Sequence, residues 1–523
     1  MTPDPRPFSV RSRRQDGFTL IELLVVIVIL GVLSAIVVFS VRGIGDKGRA
    51  SAIAADAATL RTAEESFCAR HGHYGTFEDL RGDGLLDSDP GYNTVVVGEE
   101  DKCGRGPKSS YALHETAPTE SGADRIPVGA APADLAVDEK ADRVYVVASS
   151  GNTVTVIDGK TDEPIGDPIG LAGLVSTPSR IAVDPGRGRV YVGGVNGVAV
   201  IDTRAGNQVT RIDDFDTAVT GLAVSPENGE VYVGSGVSGS SKVAYIAPGG
   251  SSATTVTLPA VSLPGAGNGM EFFFDPGRHS VYFAKLGIGK GTAPAATIGL
   301  FRISSQTHAV DITAQFPTTT SCNPGSDNLF VVSSVRGSIA VDTARNRVYL
   351  LAKKCVPDAS GALKAVATTI VINPGDGTST QITDPVGVPY TPNSVVYNPA
   401  AASVYVYLTG GPTCNGDGGR IDVIVGASAT GQIASCAVSS TDSGNSAHKF
   451  ALLKNYNRVF VAQQNSGTAP GGIGVADGST LLTQEPLGTG RAFGAVAVNN
   501  TTSKVYAVDP KNNQVAVFRS GSA

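Results

Sequence analysis

The sequence predicts a mainly β protein led by one long α-helix. Three observations carry this. Residues 18–39 form an apolar run with a single charge, Glu22. From residue 134 onward a strand–turn–strand unit recurs eight times. Gly makes up 64 of 523 residues while only 17% are charged, which suits many short strands joined by tight turns.

The N-terminal run reads FTLIELLVVIVILGVLSAIVVF. About 20 such residues span a bilayer as one helix. Arg6, Arg11, Arg13 and Arg14 precede it and would hold that end in the cytoplasm. A secretory signal peptide would have a shorter apolar core followed by a small-residue cleavage site. Glu22 argues against an ordinary anchor, because a carboxylate in a membrane span costs about 2.5–3.5 kcal/mol and so demands a reason.

RRQDGFTLIELLVVIVILGVLSAIVV closely resembles the signal of type IV pilins and pseudopilins. The resemblance implies that a prepilin peptidase cuts between Gly17 and Phe18 and methylates the new amino terminus. It also implies that Glu22, fifth after the cut, meets the free amine of a neighbouring subunit's Phe18 during assembly. Two opposite charges in an apolar filament core offset each other's desolvation and fix axial register. The partners so implied are other pilin subunits, the peptidase and the cytoplasmic membrane. The implied destination is the cell surface or a pilus-like filament. Many major pilins carry a Pro where Phe39 stands, and Gly31 remains a weak point in the helix.

Past the membrane the run from Asp46 is rich in Ala, Leu, Glu and Arg, and the helix is expected to reach residue 70. Ile53, Ala54, Ala57, Leu60, Ala63 and Phe67 line one face. A small sheet built from TVVVGEE and SSYALHE would complete a reduced pilin body.

The repeats read DLAVDEKADRVYV, RIAVDPGRGRVYV, GLAVSPENGEVYV, EFFFDPGRHSVYF, SIAVDTARNRVYL, SVVYNPAAASVYV, KFALLKNYNRVFV and AVAVNNTTSKVYA. They align on Tyr145, Tyr191, Tyr232, Tyr282, Tyr349, Tyr405, Phe460 and Tyr506, spaced 41 to 67 residues apart. Seven residues upstream stand Asp138, Asp184, Ser225, Asp275, Asp342, Asn398, Leu453 and Asn499. The bland reading of that polar series is turn chemistry, side chain to backbone. A third and a weaker fourth strand follow most copies. Four strands per 40–60 residues, repeated, form the blade of a β-propeller. The copies resemble YVTN-type propeller repeats, and the absence of Trp argues against WD and kelch repeats. The last copy supplies three strands, and Arg125–Gly129 would donate the fourth and remove two open edges. Eight blades are expected, with seven as the alternative. The divisions are then a leader at 1–17, the hydrophobic pilin helix at 18–70, a reduced body and linker at 71–123 and the propeller at 124–520.

The six Cys form no CxxC pair. In an exported chain an even, scattered set favours disulfides, and proximity along the sequence pairs them as Cys68–Cys103, Cys322–Cys355 and Cys414–Cys436. No HExxH or GxSxG constellation appears in the propeller, and His71 with His73 and the NGDGGRID segment are weak metal look-alikes. No metal, cofactor or catalytic residue is expected. A net charge of −6 gives no basic field for nucleic acid. The expected function is display of a propeller head for adhesion or ligand binding at the cell surface by a minor pilin or pseudopilin. The alternatives are a membrane-tethered propeller enzyme of lactonase or quinoprotein type, or a structural pseudopilin of a type II-like secretion system. The long segments after the second strand of blades four to seven mark a candidate binding face. There Lys285, Lys290, Lys353, Lys354 and Lys364 would meet an anionic surface partner.

Overall fold

A computed structural model describes residues 55–86, 93–97, 102–103, 111–115 and 119–519, the last range with interruptions of which the longest are 259–269, 436–449 and 464–471. The chain divides into two compact units, Met1–Glu115 and Thr116–Ala523. Gly17, Phe18 and Glu22 lie outside the described residues. Among the described residues no helix is long and apolar enough to cross a membrane; the apolar run at 18–39 is outside them.

In the first unit a helix covers 55–71. Leu60, Ala63 and Phe67 turn inward and are buried with Leu80. Leu80 belongs to a short helix, Phe77–Gly82, which the sequence reading did not foresee. Its start is fixed by a capping box, in which the Thr76 side chain accepts from the Asp79 N–H and the Asp79 side chain accepts from the Thr76 N–H. The expected small sheet is a two-stranded antiparallel pair, Asn93–Val97 with Tyr111–Glu115.

The second unit is an eight-bladed β-propeller. Blade two shows the plan with strands A to D at Ser176–Asp184, Arg189–Val195, Gly197–Asp202 and Gln208–Ile212. The A strands pack side by side around the axis. The A–B and C–D turns share one face of the disc, and the B–C turns and D–A connections share the other. Strand Thr119–Pro127 pairs with Gln514–Arg519 and becomes the fourth strand of blade eight. The ring thus closes as the sequence indicates, with a closing strand that starts six residues earlier than Arg125.

The recurring aromatic explains why the blades stack. All eight are buried, at no more than 1% exposure. Each inserts into the seam with the next blade. Tyr145 packs with Ile181, Val190 and Val192 of blade two, Tyr349 with Val395, Val404 and Val406 of blade six, and Tyr506 with Leu135 and Val144 of blade one. The hydroxyls continue across the seam. Tyr349 donates to the Gly426 carbonyl at 2.6 Å and Tyr405 to Asn457 Oδ1 at 2.7 Å. Gly478 must lack a side chain here, since a Cβ would stand 2.0 Å from the Tyr405 hydroxyl.

Candidate functional site

Three surfaces of the propeller could carry function: the A–B face, the axial channel and the B–C face.

The polar series on the A–B face is engaged in its own turns. Asp138 Oδ1 accepts from the Lys140 and Ala141 N–H groups, and Asn499 Oδ1 from those of Thr501 and Thr502. Asp342 accepts from the Arg345 N–H and pairs with its guanidinium at 3.0 Å. The same turns stitch blade to blade. Arg187 donates to the Asn228 carbonyl, Arg278 to that of Thr343 and Arg345 to that of Ala402. At the seam of blades three and four, His308 contacts Glu230 at 3.0 Å, and Ser305 with His279 contacts Glu227. At the last seam Asn499 reaches Asp142, and Lys504 reaches Asp162 at 2.8 Å. This face is architecture: its carboxylates are already committed to neighbours.

The channel cavity measures about 350 Å³ and is lined by Leu135, Ala136, Ile181, Leu222, Phe450 and Val496 among others. The first position of the aligned repeats carries a charged layer to which the sequence analysis assigned no role. Asp134 is fully buried and accepts from the Ile181 N–H of blade two. Arg180 is 5% exposed and donates through Nε to the Thr220 carbonyl of blade three at 3.0 Å. Burial lowers its pKa, and Asp134 and Glu271 oppose that shift. The layer ties blades one to three together above an apolar cavity.

On the B–C face the segments read as loops are in large part strand. Strand B has 6 residues in blade one, Arg143–Ala148, but 9 in blade four, Ser280–Ile288, 11 in blade five, Arg347–Pro357, and 9 in blade six, Ser403–Gly411. In blade five Pro357 still pairs with Leu363, so the turn shrinks to residues 358–362. Asp358 closes it by accepting from the Ser360 and Ala362 N–H groups. Phe330–Val331 lies parallel to Thr318–Thr319 and antiparallel to Lys353–Lys354, joining blades four and five into one nine-stranded sheet. A Cys322–Cys355 disulfide with Cα atoms 5.5 Å apart fastens that clip. The Cys355 N–H also donates to the Leu329 carbonyl. The result is a stapled clip between blades four and five, beside the long hairpin of blade six.

Of the five lysines, the three whose side chains are described, Lys353, Lys354 and Lys364, do not share one side of the ribbon. Strand alternation sends Lys353 to one side of the ribbon and Lys354 with Lys364 to the other, since Lys364 pairs with Val356. Lys353 is half-buried, which lowers its pKa. Lys354 Nζ donates to Gln381 Oε1 at 2.9 Å, and Lys364 is exposed. Lys285 pairs with Gly299 within the blade-four hairpin; its side chain, and Lys290 altogether, lie outside the described residues.

Cys68 and Cys103 are bonded in the first unit, with Cα atoms 6.0 Å apart. Cys414 and Cys436 are outside the described residues. His71 stacks on Phe67 and pairs with Asp83 at 3.2 Å, while His73 Nδ1 lies 3.0 Å from the Tyr74 carbonyl oxygen. Among the described residues no three His, Cys, Asp or Glu converge as metal ligands. Asp422 is not a calcium-loop ligand either: it sits in a strand, clamped with Asp384 around Arg420.

Residues 12–38 match the prokaryotic N-terminal methylation motif. The chain is 38% identical over 69 residues to the type II secretion system core protein G of Aeromonas hydrophila, covering 13% of this chain and 48% of that protein. The corresponding protein of Klebsiella michiganensis is 36% identical over 69 residues, covering 13% and 49%. The chain thus spans about half the length of the curated relatives it matches. Among solved structures, hydrazine synthase of Kuenenia stuttgartiensis is 13% identical with a TM-score of 0.44, covering 75% of this chain and 96% of that one. The Dos1 propeller is 11% identical with a TM-score of 0.47, covering 76% and 96%.

Proposed function

We propose that this chain is a minor type IV pilin or pseudopilin whose propeller is a binding head displayed at the cell surface. The observation that carries this is the asymmetry of the disc. The chain enters on the A–B face at Thr119, while the long hairpins and their disulfide clip stand on the opposite face. Binding residues concentrate on surface connections held in place by a rigid scaffold, and these hairpins are such connections. The apolar channel walls, without convergent acid, base or nucleophile among the described residues, favour binding over catalysis. The partners in this reading are other pilin subunits, prepilin peptidase, the cytoplasmic membrane before assembly and a surface ligand met by the B–C face.

A second reading, a structural pseudopilin of a type II-like secretion system, is favoured by the 69-residue similarity to core protein G.

Two experiments test the first reading. Mass spectrometry of surface protein should find N-methylated Phe18 at the amino terminus, and Glu22→Ala should be processed but fail to assemble. Recovery of an intact leader would sink the pilin assignment. Shortening the B–C hairpins of blades four to six to the length seen in blade two should abolish attachment of a folded, displayed head to its target. Undiminished attachment would show that this is not the binding face.

A further inference from the structure

Strand alternation places Arg420, Asp422 and Ile424 of strand Gly418–Val425 on one side of blade six. That side faces blade five. Ile424 packs with Tyr349, Val406 and Leu408, and the last two stand directly opposite Asp422 and Arg420. Two charged side chains thus enter the seam between blades five and six. Asp384 meets them from the connection between the blades, where its N–H donates to the Ala367 carbonyl of blade five at 2.9 Å. Arg420 Nη2 donates to Asp384 Oδ1 at 2.6 Å and to Asp422 Oδ2 at 2.9 Å, and its Nε stands 2.6 Å from Asp422 Oδ1. Tyr390, just ahead of the first strand of blade six, covers the guanidinium, with Arg420 Cζ 4.5 Å from its ring centroid. Arg420 and Asp422 are 8% and 7% exposed, and Asp384 Oδ2 is buried with no hydrogen-bond partner among the described residues.

Two carboxylates share one guanidinium here, so the fully ionised cluster holds one uncompensated negative charge away from water. Such a charge is costly to bury, and the cluster can relieve it in two ways: by taking up a proton or by opening to water. We propose that this cluster is a pH-sensitive latch that holds blades five and six together more tightly in acid than at neutral pH. Burial pushes the Asp422 carboxyl up from 3.8 to about 6, against the opposing pull of Arg420 and with repulsion from Asp384 adding to the rise. These two are the charged groups that act on it among the described residues. The proton belongs to the pair of carboxylates rather than to one of them. A carboxyl whose pKa is higher in the closed seam than in the open one favours closure while protonated. Its contribution is complete below pH 3.8, declines between pH 3.8 and 6 and is lost above that. Asp384 follows strand Ser379–Thr383 and Arg420 is the third residue of its own strand, so the latch lies at the B–C end of the seam. It acts there whether or not the B–C face binds a partner.

The test is hydrogen exchange of the full chain, read by mass spectrometry at about pH 5 and pH 7.5, with rates corrected for the intrinsic pH dependence of amide exchange. Peptides spanning 379–395 and 404–425 report this seam, and peptides at the seam of blades one and two serve as reference. The readout is local because Glu64 of the first unit titrates over an overlapping range. The expected result is about tenfold greater protection of the blade five–six peptides at the lower pH, relative to the reference. Asp422→Asn keeps an acceptor for Arg420 and removes the uncompensated charge, and Asp384→Asn does the same from the other side. Each should bring protection at neutral pH to at least the level the parent reaches in acid, and flatten the response to pH. Protection in the parent that is indifferent to pH, or lower in acid, would overturn the proposal. So would a pH response that persists unchanged in both variants.

Discussion

Glu64 stands where the helix of the first unit faces its core. Its side chain is fully buried beside Leu60, Ala63, Phe67 and Leu80. One carboxylate oxygen accepts from the Gly75 N–H at 3.1 Å, and the other has no hydrogen-bond partner among the described residues. Burial is the main cause that raises its pKa from 4.5 to about 7, with Glu65 on its own helix and Asp79 on the short helix adding repulsion. A carboxyl with a folded-state pKa above its unfolded value favours folding most while protonated. Its contribution is complete below pH 4.5, declines between pH 4.5 and 7 and stays lost above that. The loss is on the order of 3 kcal/mol for this span. Glu64→Gln keeps an acceptor for Gly75 and removes the charge. Denaturant titrations across this range should show the first unit of the variant unfolding with much less pH dependence and more stable than the parent at pH 8. An unchanged slope would mean that the carboxylate is not buried in the folded state. The signal was present in the sequence: Glu64 lies four residues after Leu60 and next to Ala63, inside the apolar stripe.

At the scale of the element, the eight A–B turns share a backbone device that the aromatic alignment reveals. Three residues before each aromatic stand Asp142, Gly188, Gly229, His279, Asn346, Ala402, Asn457 and Ser503, and every one has φ between 49° and 76°. Gly, Asn and Asp tolerate this left-handed conformation, whereas Ala gains nothing there and clashes through its Cβ. Ala402, at φ 50°, is the position where sequence and turn disagree most. Ala402→Gly should stabilise the propeller by about 0.5–1 kcal/mol, the relief of strain exceeding glycine's entropic cost. Thermal unfolding of the two proteins checks this, and a lower midpoint for the glycine variant would refute it. The turns were legible because each blade solves the same local problem with the same residue types. The B–C hairpins were not. In KKCVPDASGALKA the two lysines, the proline and the glycine mask strand alternation, and only the pairing of Cys355 with Ala365 reveals it. The charge layer at Asp134 and Arg180 escaped for the opposite reason: it occupies the first position of the repeated motif, where the residue type differs from blade to blade.

At the scale of the whole molecule, ring closure was legible because four strands per repeat leave one strand to be supplied from elsewhere, and RIPVG had no other partner. The size of the closed ring then constrains assembly. A unit of about 400 residues has a radius of gyration near 22 Å and spans on the order of 55 Å. Helices packed in a shared core stand about 8–10 Å apart. Heads several times wider than the spacing of their helices collide if they follow one another on adjacent subunits. Under the proposed pilin-like assembly, the chain would share a filament with pilins of small body, or stand at its end, and would not pack densely with copies of itself. Quantitative mass spectrometry of sheared surface filaments should therefore find this chain at well under one copy per small-bodied pilin. Exchange of the propeller for a short linker should raise its share by relieving the collision. A native filament built of this chain alone, or an incorporation indifferent to the head, would show that the width of the propeller does not limit its assembly.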